Sequence, residues 1–201
     1  MPNQLMLGHL PMFLHPGADK ILVIGFGSGV TLGAVTQYDP SRIECAEIEK
    51  NVIEAGRFFE KFNHNPLKDP RVKVWIEDGR NVLEMARDDY DIIISEPPNP
   101  WMAGVADLFT ADFYALCKRK LAADGLMCQW LQTYGTSVSD YRLIVATFSS
   151  VFPYHAVYRV TSGDTLFIGA DTPRIPNFEE IQEIVNARTT IEEDLRRYNG
   201  S

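Results

Sequence analysis

Lys20-Ile21-Leu22-Val23-Ile24, followed at once by Gly25-Phe26-Gly27-Ser28-Gly29, is the stretch that most constrains the fold. Four consecutive large apolar residues, three of them β-branched, fit a strand covered on both faces, as in a parallel sheet. Three glycines spaced by two then predict a sharp turn into a helix, because glycine takes positive φ and leaves the backbone bare. A helix start after such a turn offers unpaired N–H groups to a nucleotide-like ligand. The competing reading is a structural strand-to-helix turn with no ligand. The dinucleotide fingerprint asks for glycine at position 30, where Val30 stands, which tilts the reading towards adenosyl-sulfonium cofactors.

The remaining elements follow from periodicity and punctuation. A short helix is expected before Pro16-Gly17, then strand 20–25, a helix from Val30 to Gln37 and a strand from Arg42 to Ile48. The segment from Lys50 to Phe62 reads as a helix with Val52, Ile53, Phe58, Phe59 and Phe62 on a broad apolar face. Val72–Ile76 and Asp91–Ser95 read as strands, with a helix over Asn81–Ala86 between them. Leu108–Leu121 reads as a helix, Leu126–Leu131 as a strand and Val138–Val151 as a helix capped by Ser137 or Ser139. Tyr154–Val160 and Thr165–Ala170 form an expected antiparallel hairpin at the sheet edge, and Asn177-Phe178-Glu179-Glu180 opens a last helix with a capping box. The alternation predicts a Rossmann-like α/β fold with a mostly parallel sheet and an antiparallel C-terminal hairpin. Within one compact unit, 20–170 is the expected ligand-binding body, 1–19 a lead-in segment and 171–201 a C-terminal helical extension.

Composition narrows the function classes. The 201 residues are 45% hydrophobic and 23% charged, as in ordinary globular proteins. A formal net charge of −8 disfavours nucleic acid, whose phosphates call for a basic face, and is compatible with cationic substrates such as polyamines. Cys45, Cys117 and Cys128 lie unpaired within apolar segments, and the four histidines show no ligand spacing, so reduced buried thiols and no metal are expected. The chain shows neither an apolar run of membrane-spanning length nor a signal peptide, and a cytoplasmic location is expected.

Candidate site residues cluster after the expected strands. Glu47, about twenty residues beyond the glycines, stands where nucleotide folds place a carboxylate on the ribose hydroxyls; a solvated strand end is the plainer alternative. Asp78-Gly79 follows the third strand, where a carboxylate can hold an adenine amino group or simply cap the next helix. Glu96-Pro97-Pro98-Asn99-Pro100-Trp101 is the least ordinary stretch: three prolines in four residues stiffen a turn that fixes Glu96 and Asn99 at the carboxyl edge of the sheet. Met102–Asp107, with Gly104, reads as a lid.

Taken with the expected strand–helix order, these marks place the chain in a class I S-adenosylmethionine-dependent methyltransferase-like fold, where it resembles the spermidine/spermine synthase family of polyamine aminopropyltransferases. The resemblance runs over about residues 3 to 170. It rests on Gln4, His9-Leu10-Pro11, the glycine turn 25–29, Glu47-Ile48-Glu49, Asp69-Pro70-Arg71-Val72, Asp78-Gly79, Asp91-Ile92-Ile93-Ile94, Pro100, Leu108-Phe109, Phe113-Tyr114, the Leu121–Gly125 turn and Gln129. It implies an enzyme moving an aminopropyl group from decarboxylated S-adenosylmethionine to an amine or polyamine. Gln4, Gly25, Gly27, Ser28, Gly29, Glu47, Asp78 and Gly79 would bind the cofactor, with Glu47 on the ribose and Asp78 on the adenine. Glu96 would occupy the catalytic acid's place, with Asn99 beside it and Trp101 and Gln129 on the substrate side.

The departures are equally specific. The family turn after the fourth strand is Asp-x-x-Asp-Pro, and here both acids are altered, to Glu96 and Asn99. The aspartate that holds the aminopropyl ammonium is Ser28, a tyrosine expected before Gln4 is Asn3, and the tyrosine before Ser162-Gly163 is missing. The family's N-terminal β-hairpin domain, which builds its oligomers, is not seen either; a homodimer stays open. Two alternatives therefore stand. One is an S-adenosylmethionine-dependent methyltransferase, favoured by Ser28 and by the likeness of Glu96-Pro97-Pro98-Asn99 to an Asp/Asn-Pro-Pro-aromatic turn. The other is a non-catalytic nucleoside-binding domain, such as the soluble part of a larger membrane-associated protein.

Overall fold

The computed structural model describes residues 2–98, 101–102 and 104–199. Seven strands form one sheet: β1 (Lys20–Ile24), β2 (Arg42–Glu47), β3 (Val72–Ile76), β4 (Tyr90–Ser95), β5 (Leu121–Gln132), β6 (Tyr154–Arg159) and β7 (Asp164–Ala170). Their spatial order is β3-β2-β1-β4-β5-β7-β6. The first five are parallel, while β7 runs antiparallel between β5 and β6. The order reverses beside β1, whose neighbours are β2 and β4, and ligands in open α/β sheets bind at the carboxyl ends of strands around such a switch point.

The helices are α1 (Pro2–Leu14), α2 (Val30–Val35), α3 (Lys50–Ala55), α4 (Gly79–Met85), α5 (Ala111–Arg119), α6 (Val138–Val151), α7 (Phe178–Ala187) and α8 (Thr189–Asn199). Alternation along the strands divides the core in two. Ile21, Val23, Ile43, Cys45, Ile92 and Ile94 face a cluster that includes Leu7, Met12 and Phe13 of α1, Leu32 and Val35 of α2 and Ile191 of α8. Leu22, Ile24, Ile93 and Met127 face the other way, towards Val82 of α4, Phe113 of α5 and Phe148 of α6. The result is a three-layer sandwich in which α1 and α8 share one layer.

Four expected helices change length: the one expected over Leu108–Leu121 is the shorter α5, Ala111–Arg119, preceded by a 3-10 turn at Ala106–Phe109, and β5 already begins at Leu121 where a turn is expected. The helix after the glycine turn stops at Val35, and all six of its residues are buried. The one expected over 50–62 ends at Ala55 and tightens into a 3-10 turn, Gly56–Phe59. At that junction Gly56 packs against the Phe26 ring so closely that a Cβ would lie 2.4 Å from it. Phe58 and Phe62 consequently face solvent rather than the core. The C-terminal helix breaks at Arg188, whose backbone is extended and whose guanidinium donates to Asp39. Caps account for other boundaries, with Thr110, Ser137 and Asn177 each accepting an N–H of the first turn they precede.

Packing of α2 against the loop that follows α3 leaves no room at Gly33, where a Cβ would lie 1.9 Å from the carbonyl oxygen of Asn63. Gly33→Ala is expected to lose about 1–3 kcal/mol of stability through this overlap, although alanine is the better helix former by ~1 kcal/mol. Gly17→Ala, with nothing within 4 Å of the new methyl, should stay within about 0.5 kcal/mol of the parent. Urea midpoints of the two variants check both.

Candidate active site

The exits of β1, β2, β3 and β4 meet at one edge, with Ile24 in register with Ala46 and Ser95, and Glu47 with Ile76. Gly25, Gly27 and Gly29 have φ of 93°, 52° and 77°. At Gly25 the left-handed backbone lets the exit of β4 pass closely: a Cβ would stand 2.5 Å from the Glu96 carbonyl oxygen. Phe26 turns its side chain inwards, against Gly29 and Gly56, leaving the Gly27-Ser28 tip facing the cleft.

Four predicted site residues converge here. Gln4 Nε2 donates to Glu96 Oε1 at 2.6 Å, and Ser28 Oγ donates to Gln4 Oε1 at 2.9 Å. Gly27 sits below them, its Cβ position 3.5 Å from Gln4 Nε2 and 3.8 Å from Glu96 Oε1. Glu96 Oε2 is sealed from solvent without a hydrogen-bond partner among the described residues. Burial pushes the Glu96 carboxyl up to about 7, against the pull of Thr31 and Gln4 towards the charged form. Gln4 thus holds one oxygen, the nearby Thr31 hydroxyl donates to the Gln4 carbonyl at 3.2 Å, and Oε2 has no hydrogen bond among the described residues, in an acid that titrates near neutrality.

Glu47 is nearly buried and its carboxylate is held by the backbone: Oε2 accepts from Phe26 N at 2.9 Å and Oε1 from Glu49 N at 3.0 Å. Each oxygen retains acceptor capacity for a ribose hydroxyl. Asp78 caps α4, accepting from Arg80 N at 2.7 Å, and Gly79 packs so closely on β1 that a Cβ would meet Ile24 at 2.4 Å. Gln129 lies on β5 beside Ser95, donating to the Trp130 carbonyl at 2.9 Å. The Gln129 Oε1 and Ser95 Oγ atoms are buried and have no hydrogen-bond partner among the described residues.

Trp101 is placed apart from this cluster. It is half exposed, packs over Gly135, and lines an apolar groove of about 640 Å³ with Phe109, Leu143 and Ile144. Asn99 lies outside the described residues. Asn63 was not singled out from the sequence, yet its side chain donates to the carbonyls of Ser28 and Gly56 at 2.9 and 3.1 Å and so fixes the glycine turn. Nothing in its surroundings, His64-Asn65-Pro66, marks that role.

Metal-ligand chemistry occurs at the other end of the sheet. The ligand atoms of His15, Asp91 and Asp124 lie within 4.8 Å of one another. Asp91 is occupied by the N–H groups of Asp19 and Lys20, at 2.8 Å each, and Arg174 adds positive charge beside His15. A guanidinium competes with a cation there, and we assign no metal to these residues.

Fold and site together define an α/β domain of the class I S-adenosylmethionine-dependent methyltransferase type, with an acid of raised pKa at its carboxyl edge. Residues 2–163 match the spermine/spermidine synthase domain, and the chain belongs to that family. A polyamine aminopropyltransferase of Thermotoga petrophila is 33% identical over 154 residues, 76% of this chain and 52% of the relative. One from Buchnera aphidicola subsp. Schizaphis graminum is 30% identical over 96% of this chain and 69% of its own length. Among solved structures, a spermidine synthase in complex with the transition state analogue AdoDATO superposes with a TM-score of 0.78 at 29% identity, covering 86% of this chain and 61% of that one. Human methyltransferase-like protein 13 in complex with SAH, at 23% identity and a TM-score of 0.67, shares the fold and covers 98% of this chain and 90% of its own. The chain spans about half the length of the first relatives it matches.

The raised pKa of Glu96 has a signed consequence for stability. Its folded carboxyl titrates near 7 against an ordinary 4.5. Between those values the folded state holds the extra proton, so stability falls as pH rises through the window. Glu96→Gln retains an acceptor for Gln4 and mimics the protonated acid. It is expected to match the parent near pH 4.5 and to exceed it by about 1–3 kcal/mol above pH 7, read from urea unfolding across pH.

Proposed function

We propose that the chain transfers an aminopropyl group from decarboxylated S-adenosylmethionine to a small amine. The carrying observation is Glu96: one oxygen fixed by Gln4, the other unmet and enclosed, and a pKa of about 7. A primary amine is protonated at neutral pH, with a pKa near ~10 in the manner of lysine, and it must shed a proton to become a nucleophile. Glu96 Oε2 accepts that proton and orients the nitrogen. The lone pair then attacks the carbon beside the sulfonium, the C–S bond breaks in line, and methylthioadenosine leaves as a neutral thioether. A base whose pKa lies near the working pH suits this step.

The nucleoside is assigned to the β1–β3 side of the edge. Glu47, held by the Phe26 and Glu49 N–H groups, takes the ribose hydroxyls, and the Asp78-Gly79 turn takes the adenine. Family membership over residues 2–163 and the likeness to polyamine aminopropyltransferases support the reading. The amine class, the donor and any homodimer are part of the proposal, as is the placement of Gln129 and Trp101 on the acceptor side.

Ser28 favours a second reading. A neutral hydroxyl bonded to Gln4 occupies the glycine-turn position where the family carries an ammonium-binding acid, and such a turn also accommodates the intact amino acid group of S-adenosylmethionine. Methyl transfer is the alternative that this observation supports.

Calorimetric titration with decarboxylated S-adenosylmethionine, S-adenosylmethionine and methylthioadenosine separates the two. Preference for the decarboxylated form is expected; preference for the intact form establishes the second reading, and binding of none overturns both. Glu96→Gln should leave donor affinity nearly unchanged and lower turnover by ~10²–10⁴-fold. Full turnover in that variant would remove Glu96 from the chemistry. Glu47→Ala should weaken nucleoside binding by about 1–3 kcal/mol in the same titration.

A further inference from the structure

Asp194, on α8, lies beyond residues 2–163, the part of the chain that matches the family domain. It is fully buried, and its Oδ2 receives two imidazoles: His9 Nε2 of α1 at 3.2 Å and His64 Nε2 at 2.7 Å. With the proton on Nε2, His9 also accepts from the Tyr38 hydroxyl through Nδ1, at 3.0 Å. Burial would raise the Asp194 carboxyl, but hydrogen bonds from His64 and His9 outweigh it and hold the group down at about 2. Arg197 stands 3.5 Å from the other oxygen.

These contacts close a ring that passes through the site. From His9, five residues of α1, about 7.5 Å of helix rise, lead back to Gln4. Gln4 accepts from Ser28 Oγ, and the Ser28 carbonyl accepts from Asn63, the neighbour of His64. His64 and Asn65 both take left-handed backbone, with φ of 53° and 52°, a conformation that costs energy and is kept here by the contacts around it. His64 then returns to Asp194. The two segments that reach the cleft, α1 and the glycine turn, are thereby referenced to one carboxylate outside the matched domain.

We propose that Asp194 is a positioning residue for the cleft: it sets the separation of α1 from the loop 63–65, and through them the place of Gln4 over Glu96. The nucleoside part of the test rests on the proposed function; the titration of Glu96 does not. Carbon-13 labelled glutamate side chains report the Glu96 titration by NMR without any ligand. In Asp194→Asn, a displaced Gln4 donates less to Glu96, and the Glu96 midpoint is expected to rise above that of the parent. Affinity for 5′-methylthioadenosine is expected to weaken roughly 3- to 30-fold. Arg188→Ala removes a surface pairing of the α7–α8 junction with Asp39 and leaves Asp194 in place; it should keep both parental values.

An unchanged Glu96 midpoint in folded Asp194→Asn overturns the proposal. An equal shift in Arg188→Ala does so as well, because the effect would then belong to general docking of the C-terminal helices. If Asp194→Asn does not fold, His64→Gln removes one imidazole from the partly exposed end of the ring, and the same shift or its absence decides. A parent protein that binds no methylthioadenosine overturns the nucleoside reading, while the Glu96 midpoint still decides the role of Asp194.

Discussion

The hydrogen bond from Gln4 Nε2 to Glu96 Oε1, 2.6 Å long, joins the first helix of the chain to the exit of its fourth strand. A carboxyl this enclosed resists ionisation, and an amide donor is the neutral partner that holds it without supplying a counter-charge. Replacing the amide by a cation would pull Glu96 into the ordinary carboxylate range and remove its capacity to take a proton near pH 7. The proposed chemistry depends on burial without neutralisation, and the fold supplies it by laying α1 across the switch point of the sheet.

Contacts from several elements hold that arrangement in place. The glycine turn is pressed from below by Phe26, from the side by Asn63 and from above by Gln4, so its three left-handed residues have no freedom to relax. Gly25 permits the Glu96 carbonyl to pass at a distance that no side chain would tolerate. Glu47 closes the other flank by accepting the Phe26 N–H, which converts a possible strand-end charge into a fixed wall of the cleft. Unmet acceptors and donors on Ser95, Glu96 and Gln129 lie along the remaining side.

The asymmetry between the two halves of the cleft carries functional weight. Glu47 and Asp78, the residues proposed for the nucleoside, are bound into the backbone, whereas Gln4, Ser28 and Glu96 bond to one another through their side chains, and the apolar groove at Trp101 lies apart from both.

Local chemistry determined the strands, the glycine turn and the strand-end acids, because apolar runs, backbone freedom at glycine and proline stiffness act over a few residues. The sheet and its C-terminal hairpin were legible for that reason, while the resemblance supplied Gln4, Ser28, Glu47 and Glu96 as candidates, of which Gln4, Ser28 and Glu96 meet in the structure and whose roles stay with the proposal. The early end of α3 was not legible: its apolar periodicity continued to Phe62, while Gly56 packs against a ring thirty positions away that local pattern does not reveal. Asn63 and the His9–Asp194–His64 contacts were likewise invisible, since their partners stand far apart in the chain and meet only when α1, α8 and the loop 63–65 pack together. Tertiary structure decided the protonation behaviour of Glu96 for the same reason: the charge of a carboxyl is set by what encloses it, and enclosure is a property of the folded whole.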